Sequence, residues 1–159
     1  MTQVYRYGFI GALLDEYERA IANYQQVILT LTDEQFNAIV DTQTADPDCV
    51  SVETITRHVI NAGYGYANYI RRQYDDEPVE HNRNYTLPDA ITACILLNKM
   101  FQFNVQTLQN KMDITDDVVL NNIIHVTWGQ KYDMEQLLEH AIVHVLRHRR
   151  QVEKFKTLM

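Results

Sequence analysis

Between Tyr7 and Leu31 the apolar residues Leu13, Leu14, Tyr17, Ile21, Tyr24 and Ile28 recur at steps of three and four. That period matches the turn of an α-helix, about 3.6 residues, and draws one apolar stripe along its side. Such a stripe must be buried, and the cheapest cover is another helix of the same kind. The rest of the chain supplies three. Thr32 followed by Gln35 has capping-box spacing and opens a short piece, TDEQFNAIV. DTQTADPDCVS then breaks the pattern, and Ser51 starts a second long helix that runs to about Tyr74. Its inward stripe reads Ile55, His58, Val59, Ala62, Tyr66 and Tyr69. DDEP ends it, and the polar residues Asp75 to Thr86 form a loop.

Leu87, Pro88 and Asp89 open a third long helix, with proline at a tolerated first-turn position. Ile91, Ile95, Phe101, Val105 and Leu108 lie on its core side, and it ends near Met112. DVVLNNIIHVTWGQKYD differs: it is rich in β-branched residues and closes on Trp128-Gly129, the pattern of an extended crossover or a short strand pair. Asp133, with Gln136 three residues on, caps a last helix reaching about Lys156. The fold class is therefore all-α: a four-helix bundle with an irregular crossover, or short β-hairpin, before the last helix. Residues 1–159 are expected to make a single domain, long enough to bury roughly 70% of the surface the unfolded chain exposes.

Composition narrows the setting. The only cysteines, Cys49 and Cys94, are far apart with no CxxC spacing, which fits a reducing, cytoplasmic setting and argues against a thiolate zinc site. The amphipathic start MTQVYRYGFIGALLDEYERA has no basic n-region or long apolar core, so no signal peptide is expected. No 18-residue apolar run occurs, so no membrane span is expected. A formal charge of −7 argues against a nonspecific nucleic-acid binder.

The stretch EHAIVHVLRHRRQ carries three of the six histidines at steps of four: His140, His144 and His148. A step of four drifts only about 40° around a helix and rises about 6 Å, so successive imidazoles are neighbours and two can share one metal ion. They lie on a stripe with Leu137, Ala141, Val145, Val152 and Phe155, while Arg147, Arg149, Arg150 and Lys154 fall mostly elsewhere. A neutral imidazole buried without a partner costs on the order of 1–3 kcal/mol, and a shared cation satisfies two at once. The pair is either His144 with His148 or His140 with His144. His58, inward on the second long helix, is either a third ligand or a hydrogen-bonded core residue. His81 and His125, in a loop and a strand-like segment, are read as structural.

SVETITRHVINA at the start of the second long helix, TWGQKYD before the last, and HVLRHRRQ within it together resemble the DinB/YfiT-like superfamily, and the resemblance covers nearly the whole chain. In that family a histidine of the second helix joins a His-x3-His pair of the last, whose second member is commonly followed by Arg-Gly-Gln. The resemblance selects His58, His144 and His148 as the metal ligands and leaves His140 as a further, non-ligating histidine. It implies a metal-binding four-helix bundle, often a homodimer, usually holding zinc or nickel. Its characterised relatives include thiol-dependent S-transferases and isomerases, and many members have no established activity. Here Arg150 replaces the glycine, a departure that bears on the helix surface and a thiol-cofactor contact more than on the ligands.

Three neutral imidazoles leave a divalent ion its full charge, which lowers the pKa of a bound water or thiol by several units. A metal-bound thiolate suits S-transfer and a metal-bound hydroxide suits hydrolysis; together with the isomerases among the relatives, the resemblance implies a divalent-metal-dependent enzyme for small-molecule transfer with a low-molecular-weight thiol, isomerisation or hydrolysis. The alternative is a non-enzymatic metal-binding stress-response or ligand-binding module. Imidazole suits several divalent metals. Glu53, Glu135 and Glu139 are candidate acceptors for the second ring nitrogens. Arg71, Arg72 and Arg147 to Arg150 are either holders of an anionic substrate or solvated helix ends, and Tyr66, Tyr69 and Trp128 are read as core or pocket-wall aromatics.

Overall fold

The computed structural model describes residues 5–159. Four long helices dominate: α1 (Gly8–Ile28), α3 (Val52–Gln73), α4 (Ala90–Leu108) and α6 (Met134–Lys156). Two short helices lie between them, α2 (Asp33–Asn37) and α5 (Asp116–Asn121). A two-stranded antiparallel sheet, β1 (Ile124–His125) with β2 (Lys131–Tyr132), precedes α6. The long helices pack in a ring, α1 against α6, α6 against α3, α3 against α4 and α4 against α1. The fold is the all-α bundle that the apolar periods imply.

Capping fixes where the helices start. Thr32, Ser51 and Asp133 each accept the backbone N–H three residues on, and the third residue's side chain returns a bond, so the three capping boxes are complete. Asp89 caps α4 by accepting from Thr92 N at 2.6 Å. Pro88 therefore lies before the cap, not in the first turn as the sequence suggested. Its fixed φ still suits the extended entry to a cap.

The core holds Tyr17 and Tyr24 of α1 fully buried, and each hydroxyl finds a partner. Tyr24 pairs with Thr56 Oγ1 at 2.8 Å and Tyr17 reaches Met100 Sδ at 3.6 Å. Burial of aromatics of this size stabilises by about 1.5–3 kcal/mol each, and the bonded hydroxyls avoid the penalty of unpaired polar groups. By contrast Tyr5 and Tyr7 are exposed, so the tyrosines near the start divide between core and surface. At the α3–α4 contact Gly63 has no room for a side chain: a Cβ there would meet Met100 Sδ at 2.2 Å.

Two further expectations are corrected. Ile91 and Ile95 face solvent, at 67% and 51% exposure, whereas Ala93, Leu97, Met100, Phe101, Asn104 and Leu108 face inward. α4 is apolar around most of its circumference, so its period fixes the element but not its rotation. Gly63 of α3 leaves the space that the Met100 side chain of α4 fills, which suits the rotation that buries Ala93, Leu97 and Met100. The second correction is α5: Asp116 to Asn121 is helical, not extended. A single turn of helix needs few residues, and Asp116 and Asp117 in its first turn favour it. The strand pair follows as expected. Its loop closes with Gly129 N–H donating to Val126 O at 3.0 Å, with Gly129 at φ +86°, a conformation glycine adopts without strain.

Candidate metal centre

The capping boxes at Ser51 and Asp133 set the phase of α3 and α6, and these two helices pack directly on each other. Val59 on α3, and Ala141, Val145 and Val152 on α6, are buried beside the histidines. These apolar anchors bring His58, His144 and His148 to one place. His58 Nε2 lies 3.0 Å from His144 Nε2, and His148 Nε2 lies 3.2 Å from the same atom. The three candidate ligand atoms all fall within 4.8 Å of one another, and among the described residues this is the one such group of histidines, cysteines and acids.

The outer nitrogens decide the protonation. His148 Nδ1 is 3.0 Å from Gln151 Oε1, and a carbonyl oxygen only accepts, so Nδ1 carries the proton and Nε2 presents its lone pair. His58 Nδ1 faces the Asp48 carboxylate at 3.5 Å, which favours the same tautomer. Between these two lone pairs sits His144 Nε2. A proton on it can serve one neighbour well but not both. A further proton is opposed: burial first, then the neighbouring His148, His58 and His140, push the His144 pKa down to about 2. His148 is also held below its ordinary value, by burial and then by His58. Neutral imidazoles with converging lone pairs are what a divalent cation requires. Two nitrogens each about 2.1 Å from one ion lie about 3.0–3.4 Å apart at common bond angles, so the observed separations fit. The donor set therefore fits a divalent metal.

One side of the cluster is open. A cleft of about 660 Å³ is lined by His58 and His144 together with Tyr66, Trp128, Arg57 and Arg83, among others; His148 does not line it. The hairpin supplies the aromatic wall. Trp128 stacks on His140 with ring centroids 5.8 Å apart, and Tyr66 meets both Trp128 and His144 edge-on. Tyr69 anchors the hairpin, its hydroxyl donating to Thr127 Oγ1 at 2.8 Å and accepting from Thr127 N at 3.0 Å. Burial raises the Tyr66 phenol well above its ordinary value, so it stays protonated.

The other histidines are elsewhere. His140 is one turn away, between Trp128 and Tyr132, with Tyr132 OH 3.4 Å from its Nδ1. His81 stacks on Tyr64 and pairs with Asn61 Oδ1 at 3.0 Å, and His125 is exposed on β1. The carboxylates singled out from sequence do not serve the imidazoles: Glu135 and Glu139 are exposed, and Glu53 accepts the Leu87 N–H at 3.1 Å. Asp48 and Gln151 take that place. Gln151 was legible as an i+3 neighbour of His148; Asp48 sits in a single 3-10 turn, Pro47–Cys49, too short to leave a periodic signal. Arg71 is spent on Glu77 O at 2.6 Å and on the Phe103 ring, and Arg149 lies 3.4 Å from Glu153. The arginines that do line the cleft are Arg57 and Arg83, which period-based reading passed over.

The fold and the site together define a helical bundle with a cluster of three histidines that could hold a metal ion, beside a cleft. Comparison with protein families matches the DinB family over residues 2–155, and the chain belongs to that family. A search of curated proteins finds no match. Among the described residues, no helix is long and apolar enough to cross a membrane.

Proposed function

We propose that this protein is a divalent-metal-dependent enzyme in which His58, His144 and His148 hold one ion, zinc or nickel, at the floor of the cleft. When bound, the ion supplies Lewis acidity that lowers the pKa of a water or thiol reaching it. The reaction class is transfer involving a low-molecular-weight thiol, isomerisation, or hydrolysis of a small molecule. The observation that carries this reading is the convergence of three Nε2 atoms whose open side faces a cleft rather than a fourth protein ligand. A closed four-ligand shell would suit a structural ion; an open side suits an exchangeable substrate position.

The protein's own residues have assignable parts. Gln151 and Asp48 orient two of the imidazoles. Tyr66 and Trp128 form the wall against which a substrate body lies, and limit water beside the ion.

Metal content tests the first half. Untagged protein supplied with zinc, nickel and other divalent ions should retain close to one equivalent, and His144→Ala should lose it. Retention below about a tenth of an equivalent contradicts a three-imidazole site. Turnover tests the second half. Loaded protein should accelerate conjugation of a small thiol with 1-chloro-2,4-dinitrobenzene or hydrolysis of an activated ester, and His144→Ala should not. Metal bound with neither activity would favour a binding module.

A further inference from the structure

The charges in the cleft run against those of the molecule. The chain carries a formal −7, yet the charged side chains lining the cleft are two arginines and one aspartate. That aspartate, Asp48, faces His58. Among the described residues, Arg57 shares its charge with Glu53 but forms no hydrogen bond, and Arg83 has no ion-pair partner. Arg57 Nε is ion-paired with Glu53 Oε1 at 3.4 Å, an oxygen that also accepts the Leu87 N–H; the pair is made at Nε alone and leaves the terminal Nη donors of Arg57 without a hydrogen bond.

The Arg83 side chain is exposed, but its backbone is tied to α3. Asn61 of α3 pins its loop at three points: Oδ1 pairs with His81 Nε2 at 3.0 Å and accepts Tyr85 OH at 3.3 Å, and Nδ2 donates to Arg83 O at 3.5 Å. The guanidinium then lies across α3 where Gly65 has no side chain; a Cβ there would stand 3.8 Å from Nη2. A cation with unused donors, in a cleft that also holds a second one, is the chemistry that recognises an oxyanion in forked geometry.

We propose that Arg57 and Arg83 form an anion-recognising arm of this cleft, and that its ligand is a small molecule with a carboxylate or phosphate at one end and an apolar body laid against Trp128. This rests on reading the cleft as a substrate site, and it names the substrate class. The opposed charge also steers such a molecule toward the site against the repulsion of the acidic surface.

Trp128 is the chain's single tryptophan and lines the cleft, so its fluorescence reports occupancy. The probes are 3-phenylpropionate, phenyl phosphate and the uncharged 3-phenylpropanamide, each titrated into metal-free and zinc-loaded protein. At least one anion should quench Trp128 saturably in the metal-free protein, and the amide should bind about tenfold or more weakly. Whichever anion binds better identifies the oxyanion. Arg83→Met and, separately, Arg57→Met should weaken it about tenfold, with circular dichroism unchanged; Arg83→Lys should restore part of the loss. Equal binding of acid and amide, unchanged affinity in both methionine variants, or no saturable quenching up to about 20 mM overturns the proposal. Because the metal-free arm does not depend on the ion, failure there leaves the metal reading intact, and failure to load zinc leaves the anion arm testable.

Discussion

Nδ1 of His148 lies 3.0 Å from Oε1 of Gln151, three residues further along the same helix, so a neutral amide holds the ring with its Nε2 lone pair turned toward His144 and His58. Gln151 Oε1 also lies 4.0 Å from Cys49 Sγ, which ties the segment before α3 to the same oxygen. Removing the amide frees the ring to turn and to change tautomer. Gln151→Ala should weaken divalent-metal affinity about 10- to 100-fold while leaving the helix intact. Competition against a chelator of known affinity measures this; unchanged affinity would show that Gln151 does not orient the ligand.

Acid should destabilise the metal-free protein through its buried imidazoles. His144 ionises near pH 6.5 when unfolded and only at about 2 when folded, chiefly because it is buried. Between those values the unfolded chain binds a proton that the folded chain refuses, so stability rises with pH across the window and falls on acidification. For this one group the slope cannot exceed about 1.4 kcal/mol per pH unit. His148 shifts in the same direction and adds to it. Asp76, held below the ordinary carboxylate range by Lys111, loses its contribution only in more acidic solution. Urea unfolding of chelator-treated protein should show a midpoint falling between about pH 7 and pH 5, and a shallower fall in His144→Gln. Equal slopes in the two proteins would remove His144 from the explanation.

The rotation of α4 can be read from a pair of substitutions. Leu97 is fully buried and Ile95 is half-exposed two residues earlier. Leu97→Ala should cost about 2–5 kcal/mol, whereas Ile95→Ala should stay within about 0.5–1 kcal/mol of wild type. The reverse order in denaturant unfolding would mean that the helix is turned the other way.

Gly63→Ala tests the close approach of α3 to α4. The added methyl would overlap Met100, which is itself fully buried, so the core must shift to admit it. A loss of about 1–3 kcal/mol is expected despite the better helix propensity of alanine. A gain in stability would show that Met100 has room to move aside.

How much of this was legible without coordinates depends on whether the signal was local. Ser51, Asp133 and Thr32 announced helix starts because capping chemistry needs only residues three apart. The stripe from Leu14 to Ile28 fixed the buried face of α1 because its other side is polar. On α4 the apolar residues surround the axis, so Ile91 and Ile95 read as core although the packing of Ala93 and Leu97 turns them outward. The His144–His148 step was plain from spacing, but His58 joined it through family resemblance, since no local pattern states which residue 86 positions away will face a given imidazole. Asp48, Arg57 and Arg83 were missed for the same reason: a short 3-10 turn and a loop bring Asp48 and Arg83 to α3, and Arg57 lies off the apolar stripe.

The most direct measurement is anomalous diffraction at the zinc absorption edge from crystals of zinc-supplied, untagged protein. One strong peak should lie within about 2.3 Å of Nε2 of His58, His144 and His148 together, with its remaining side toward the cleft. No peak at that point, or one bound by only one of the three rings, would contradict a metal centre built from α3 and α6.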